Sequence, residues 1–119
     1  MTAKESRLVL NEDESIIQIG FVDRNILEEA IIQQIGDEIS AIIEQQTNPR
    51  ILIDFQGVEH LSSAALGTLI TVNNKIRQKG GQLRLADIDP QIYEVFLITK
   101  LNKLFQIHET TQKARASFK

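Results

Sequence analysis

Two adjacent serines, Ser62 and Ser63, are the residues of this chain best placed to carry chemistry. They stand in the stretch Glu59-His60-Leu61-Ser62-Ser63-Ala64-Ala65-Leu66-Gly67. The apolar run Ile51-Leu52-Ile53-Asp54-Phe55 precedes them and a segment of helical periodicity follows, so they fall at a helix N-terminus. Ser62 can cap that helix through its hydroxyl, which contributes about 1 kcal/mol, with Ser63 merely tolerating the first turn. Alternatively, a serine here can hold a phosphate, because unpaired backbone N–H groups and the helix dipole favour an anion at that end. The carboxyl edge of a central strand is also where open α/β sheets place their sites. Gly67 lies inside the predicted helix, where glycine costs about 1 kcal/mol relative to alanine. Tight helix packing and the close approach of a partner account for it equally well.

Other chemistry finds little support. His60 and His108 are the only histidines, far apart and without metal-ligand spacing, so no metal is expected. The loop Gln56-Gly57-Val58-Glu59-His60-Leu61 lacks the Gly-Lys-Ser/Thr of a phosphate-cradling loop, and Gly-x-Gly-x-x-Gly is absent. A serine hydrolase wants its nucleophile in Gly-x-Ser-x-Gly, whereas Leu61-Ser62-Ser63-Ala64-Ala65 has neither glycine. The expectation is a protein with no catalytic residue and no cofactor. Thirteen basic and sixteen acidic side chains give a net charge of −3 with no basic stripe, and one tyrosine and no tryptophan offer little stacking, which argues against nucleic acid. Cysteine is absent, excluding disulfides and thiolate-ligated zinc. No window approaches the roughly 18 apolar residues of a membrane span. Met1 to Arg7 is not followed by the apolar region of a signal peptide, so a soluble cytoplasmic protein without a membrane partner is expected.

The elements that must position the serines follow from periodicity. At 119 residues and 42% hydrophobic content, one domain over 1–119 with a real core is expected. Arg7 to Leu10 and Ser15 to Ile19 read as two strands joined by the loop Asn11-Glu12-Asp13-Glu14. From Asn25, Leu27, Ile31, Ile35, Ile39 and Ile42 mark a long amphipathic helix. Asn25 and Glu28 form a candidate capping box, and Thr47-Asn48-Pro49 stops the helix. Ile51 to Phe55 is apolar almost throughout, as a central strand covered on both faces must be. Leu66, Leu69, Ile70, Asn73 and Ile76 mark the second helix, ended by Gly80-Gly81. Gln82 to Ala86 is the next strand, and Asp89-Pro90 opens a short helix carrying Ile92, Val95 and Phe96. Leu104 to Ile107 reads as a last strand and Glu109 to Ser117 as a last helix. The order ββαβαβαβα requires right-handed parallel crossovers within one sheet.

Taken in order, several of these pieces resemble one family, the STAS domain of bacterial anti-sigma factor antagonists. Ile51 to Val58 followed by Leu61-Ser62-Ser63-Ala64-Ala65-Leu66-Gly67 is similar to the family's apolar strand, Asp-aromatic end and Asp-Ser-Ser-Gly-Leu-Gly helix start. Gly20-Phe21-Val22-Asp23 resembles its Gly-x-Leu-Asp before the first helix. Lys79-Gly80-Gly81-Gln82-Leu83 resembles its helix-glycine-strand junction, and Leu101-Asn102-Lys103-Leu104-Phe105 its entry to the last strand. The resemblance covers nearly the whole chain. It implies a mixed, mostly parallel sheet of about five strands with four helices.

What the family does is implied with it. There, the first serine after the aspartate is phosphorylated by a partner that is both a kinase and an anti-sigma factor, and that serine aligns with Ser63. Ser62 takes the place of the aspartate and remains an alternative acceptor, and Ala65 replaces the glycine. The implied partners are an anti-sigma factor/serine kinase and a phosphatase that reverses its action. The implied docking surface comprises Asp23, Arg24 and Asn25 with Glu59, His60, Leu61, Ser62, Ser63, Ala64, Ala65 and Gly67. Asp23 has a second reading, as the cap of the first helix. A scaffold or regulatory module of a stressosome-like or other signalling assembly is the alternative within the fold, and a small nucleotide-binding protein or phosphoryl-handling enzyme using the same sheet edge the alternative outside it.

Overall fold

A computed structural model describes residues 6–118; the segment Met1 to Glu5, read above for targeting signals, lies outside the described residues. Strands β1 (Leu8–Asp13) and β2 (Ile16–Phe21) form an antiparallel hairpin, and β4 (Arg50–Asp54), β6 (Gln82–Ala86) and β7 (Gln106–His108) add in parallel, giving the order β1-β2-β4-β6-β7. The apolar strand is therefore central, as its composition requires. Helices α1 (Glu29–Glu44), α2 (Ser63–Gln78) and α3 (Pro90–Ile98) connect successive strands that run the same way. Right-handed crossovers between such strands place all three helices on one face. The short α4 (Thr111–Ala116) covers the other.

The two faces divide the central strand by parity. Ile51 and Ile53 join Ile17, Ile19, Leu83 and Leu85 in the large core under α1 and α2, while Leu52 joins Ile16, Ala86 and Ala114 under α4. Ile51, Leu52 and Ile53 are all fully buried. Arg84 also faces α4. Its guanidinium is held by Ser117 Oγ and O, Gln82 Oε1 and Leu83 O, and lies 5.0 Å from the Phe118 ring centre.

Several boundaries differ from the sequence reading, each because backbone groups find other partners. The first hairpin closes with Glu14 and Ser15 alone, both at positive φ as a tight primed turn demands, so Asn11 to Asp13 belong to the strand. The capping box at Asn25 and Glu28 does not form. Asn25–Ile26 is a two-residue strand, β3, paired in parallel with β5 (His60–Leu61), and α1 begins only at Glu29 behind an N-cap Glu28 without a side-chain bond. The buried stripe of α1 is accordingly Ile32, Ile35, Ile39 and Ile43, and Leu27 is exposed. Val95 is likewise exposed, leaving Ile92 and Phe96 as the buried residues of α3. The last strand starts two residues later than read. Leu101–Lys103 turns as a 3₁₀ segment, and the Leu101 carbonyl accepts the N–H groups of both Leu104 and Phe105, so pairing with β6 begins at Gln106.

Candidate functional site

Ser62 and Ser63 are separated in role by one backbone step. Ser62 is extended (φ −84°, ψ 166°), and its Oγ accepts the Ala65 N–H at 3.2 Å while its carbonyl accepts the Leu66 N–H. It is the helix cap, half-buried and committed. The Ser63 hydroxyl is exposed and makes no hydrogen bond. Because Ser62 takes the amides of Ala65 and Leu66, those of Ser63 and Ala64 have no intrahelical acceptor and open the positive end of the helix dipole to solvent. A serine at this cap supplies a capping oxygen without the charge an aspartate would bring.

The segment before the cap is stitched to the one after β2. Arg24 O accepts the N–H groups of Glu59 (2.7 Å) and His60 (3.3 Å), and Ile26 O accepts that of Ser62 (3.1 Å). His60 Nδ1 meets Asn25 Oδ1 at 2.6 Å, and Arg24 Nη1 lies 3.9 Å from Glu59 Oε1. Two loops distant in sequence thus form one surface, with Arg24, Asn25, Glu59, His60, Ser63 and Ala64 exposed on it and Leu61 half-buried beneath. Asp23 is half-buried and tied to Arg7 (Oδ1 to Nη1, 3.2 Å). It does not cap α1, which starts six residues later.

Two other candidates are corrected or sharpened. Ala65 is only 6% exposed and packs in the core among Phe21, Phe55 and Leu69, so it offers a partner almost no surface. Its smallness lets α2 settle on the sheet. Gly67 is exposed, and a Cβ built there meets nothing within 4 Å. Packing within the chain does not account for that glycine; close helix approach occurs instead at Gly36, whose Cβ would come 3.1 Å from Thr68 Cγ2.

Beside Ser62, between the start of α2 and α3, runs a groove of about 200 Å³ with Leu27, Leu61, Leu66, Ile92 and Val95 on its walls and Glu59 and His60 at its rim. Leu27 and Val95 are the additions that sequence reasoning missed, because helical periodicity alone assigned both to the core. The late start of α1 is what turns Leu27 outward.

At the same sheet edge, Asp87 follows β6 in a left-handed conformation (φ 57°). Burial first, then a hydrogen bond to Asp54 and that residue's charge, push its carboxyl up to about 6. Asp54 also accepts the Gln56 N–H at 3.0 Å, at the head of the loop that leads to β5. Among the described residues, no helix is long and apolar enough to cross a membrane, and no cluster of three metal-ligating side chains occurs.

Comparison with known proteins agrees with this architecture. A candidate anti-sigma factor antagonist, BtrV of Bordetella bronchiseptica, is 27% identical over 96 residues, spanning 81% of this chain and 82% of BtrV. Among solved structures, an anti-sigma-factor antagonist (STAS) domain protein from Planctomyces limnophilus superposes with a TM-score of 0.82 at 23% identity, covering 90% of this chain and 93% of that one. The Bacillus cell fate determinant SpoIIAA in its phosphorylated form superposes at 0.67 and 18% identity, covering 92% and 96%. The model of the STAS domain family matches residues 25–114, from β3 through the buried Ala114 of α4, and the chain belongs to that family.

Proposed function

We propose that this protein is an anti-sigma factor antagonist whose unmodified form binds an anti-sigma factor with serine kinase activity, and that phosphorylation of Ser63 releases the partner. The observation that carries this reading is the division of labour between the two serines. Ser63 presents a free, exposed hydroxyl at the N-terminus of α2, whereas the Ser62 hydroxyl is engaged in capping. Ser63 is thus favoured over Ser62 as acceptor. The antagonist part of the reading is supported by the name of the relative BtrV, an anti-sigma factor antagonist.

The physical leverage of such a phosphate is on binding. At an exposed helix N-terminus the dipole contributes only about 0.3–1 kcal/mol, too little to rearrange a packed domain. A group of about −1.5 to −2 charges inside a docked interface must shed its water or face repulsion. Every 1.4 kcal/mol is tenfold in affinity, so a penalty of about 3–4 kcal/mol abolishes useful binding. In this mechanism the docking surface is the stitched patch of Arg24, Asn25, Glu59 and His60 with Ser63, Ala64 and Gly67, extended by Leu27 and Val95. The chain contributes no catalytic group; its kinase partner supplies the chemistry and a phosphatase resets the serine.

Phosphopeptide mapping by mass spectrometry after incubation with ATP and host-cell extract tests the acceptor. Phosphate on Ser63, lost in Ser63→Ala and retained in Ser62→Ala, is the expected result. Modification of neither serine, while a control substrate in the same extract is labelled, favours an unmodified scaffold role, which large particles in size-exclusion chromatography would then show. Equal capture of the anti-sigma partner by wild type and Ser63→Asp would overturn the release mechanism.

A further inference from the structure

The edge of the sheet opposite β7 is open. Leu8 is buried in the core, but Val9 to Asp13 are all exposed, with Val9 at 56% and Leu10 at 53%. Two large apolar residues on an uncovered edge strand form a template for another strand, and natural proteins usually blunt such edges. The hydrogen-bond parity of β1 defines what the template offers. Arg7 O accepts the Val22 N–H, so in the register that pairs Leu8 with Phe21 the odd-numbered residues of β1 turn their backbone groups to β2. The even-numbered residues turn theirs outward. Leu8 shows this directly, since its N–H donates to Ser6 Oγ at 3.1 Å and its carbonyl accepts from the same hydroxyl at 3.3 Å. Further along, the outward N–H and C=O of Leu10 and Glu12 meet no partner among the described residues.

Charge along the strand selects the occupant. Arg7 stands at its start and Glu12 and Asp13 at its end, so the segment complements its own reverse. An antiparallel second copy centred on Leu10 pairs Leu10 with Leu10 and Leu8 with Glu12, all even-numbered and therefore joined through the outward groups. Leu8 exchanges its bonds to Ser6 for bonds to Glu12 of the second copy. The same register sets Arg7 opposite Asp13 at both ends. Arg7 reaches Asp23 at 3.2 Å through one guanidinium nitrogen, and Asp13 lies 4.0 Å from Arg115, so each retains capacity for a further ionic contact. The two Glu12 residues stand four positions apart along the ladder, about 14 Å, and salt screens their repulsion. A parallel copy would instead set Glu12 and Asp13 beside their own counterparts, about 4.8 Å away. We infer that this protein forms a two-fold homodimer through antiparallel pairing of β1 with β1 about Leu10, joining two five-stranded sheets into one. The strands of the two copies then run in opposite directions, so the surfaces around Ser63 face opposite ends of the dimer and both stay open.

Cysteine is absent from the chain, so one introduced thiol reads the register. Leu10→Cys places two thiols across a hydrogen-bonded pair, about 5.5 Å between Cα atoms and within disulfide reach. Val9→Cys is just as exposed, but its counterpart lies two positions along the ladder, because Val9 faces Asn11 of the second copy. Under mild oxidation of the full chain, Leu10→Cys should form crosslinked dimer at least about tenfold faster than Val9→Cys. Analytical ultracentrifugation of the wild type from about 10 μM to 1 mM should show a monomer–dimer equilibrium. Leu10→Pro removes an outward donor while sparing the β1–β2 ladder, and should weaken that equilibrium at least about tenfold. Arg7→Asp should weaken it too, and combining it with Asp13→Arg should recover most of the loss. Equal crosslinking at the two positions, or a dimer indifferent to Leu10→Pro, would overturn the pairing. So would a monomer across the whole concentration range, which would leave the edge to a strand from another protein.

Discussion

His60 and Asn25, thirty-five residues apart, meet at 2.6 Å between Nδ1 and Oδ1, and this contact closes a four-residue parallel ladder formed by β3 and β5. Because Asn25 Oδ1 only accepts, the ring nitrogen must be the donor. The contact orders the loop that carries the serines through backbone bonds on either side, from Glu59 N–H to Arg24 O and from Ser62 N–H to Ile26 O. His60→Ala should therefore loosen the patch locally. An exposed hydrogen bond contributes about 0.5–1.5 kcal/mol, so amide exchange at Glu59 and Ser62 is expected to accelerate severalfold while the exchange of β4 amides stays unchanged. Uniform acceleration across the sheet would mean that the ladder is part of the global fold.

The serines should differ in stability as they differ in geometry. Ser62→Ala removes the capping acceptor for the Ala65 N–H and is expected to cost about 1 kcal/mol in urea denaturation. Ser63→Ala should stay within about 0.5 kcal/mol of wild type, since its hydroxyl makes no bond. Ser62→Asp should match or slightly exceed wild type, because a carboxylate both caps and complements the dipole.

Gly67 and Gly81 make opposite predictions. Gly67→Ala fills open space inside a helix and should stabilise the isolated protein by about 1 kcal/mol. If a partner approaches α2 at that point, the same variant should bind it less well, so stability and binding would move in opposite directions. At Gly81 a Cβ would run into the Pro49 carbonyl oxygen, where β4 and β6 begin side by side. Gly81→Ala should destabilise by more than about 2 kcal/mol or prevent folding, read by thermal denaturation.

Asp87 gives stability a defined pH dependence. Its folded carboxyl titrates at about 6 against an ordinary 3.8, so between these values the folded state holds a proton that the unfolded chain releases. The contribution is fully present below about 4 and is lost as pH rises through 6. Asp87→Asn removes the carboxylate while keeping a side chain that tolerates the left-handed backbone. The variant should equal wild type near pH 4 and exceed it at pH 7.5 by up to about 1 kcal/mol, the partial exposure of the site limiting the gain. A difference that does not change with pH would assign the effect to packing.

Much of this protein was determined by local sequence. The continuous apolarity of Ile51 to Phe55 required a central strand, Asp89-Pro90 and Gly80-Gly81 marked helix ends that the structure reproduces, and Ser62 was read as a cap that forms as expected. These features are legible because each depends on a few neighbouring residues: a period, a capping oxygen, a glycine at positive φ. Tertiary structure decided the rest. Asn25 looked like the start of a helix, yet its backbone pairs with His60, and no local pattern announces a two-residue strand whose partner lies thirty-five residues away. That pairing delays α1, exposes Leu27 and builds the surface beside Ser63. The choice between the serines was likewise invisible in residue type. Both carry the same hydroxyl, and only the backbone step at the helix boundary turns one toward the Ala65 amide and the other into solvent.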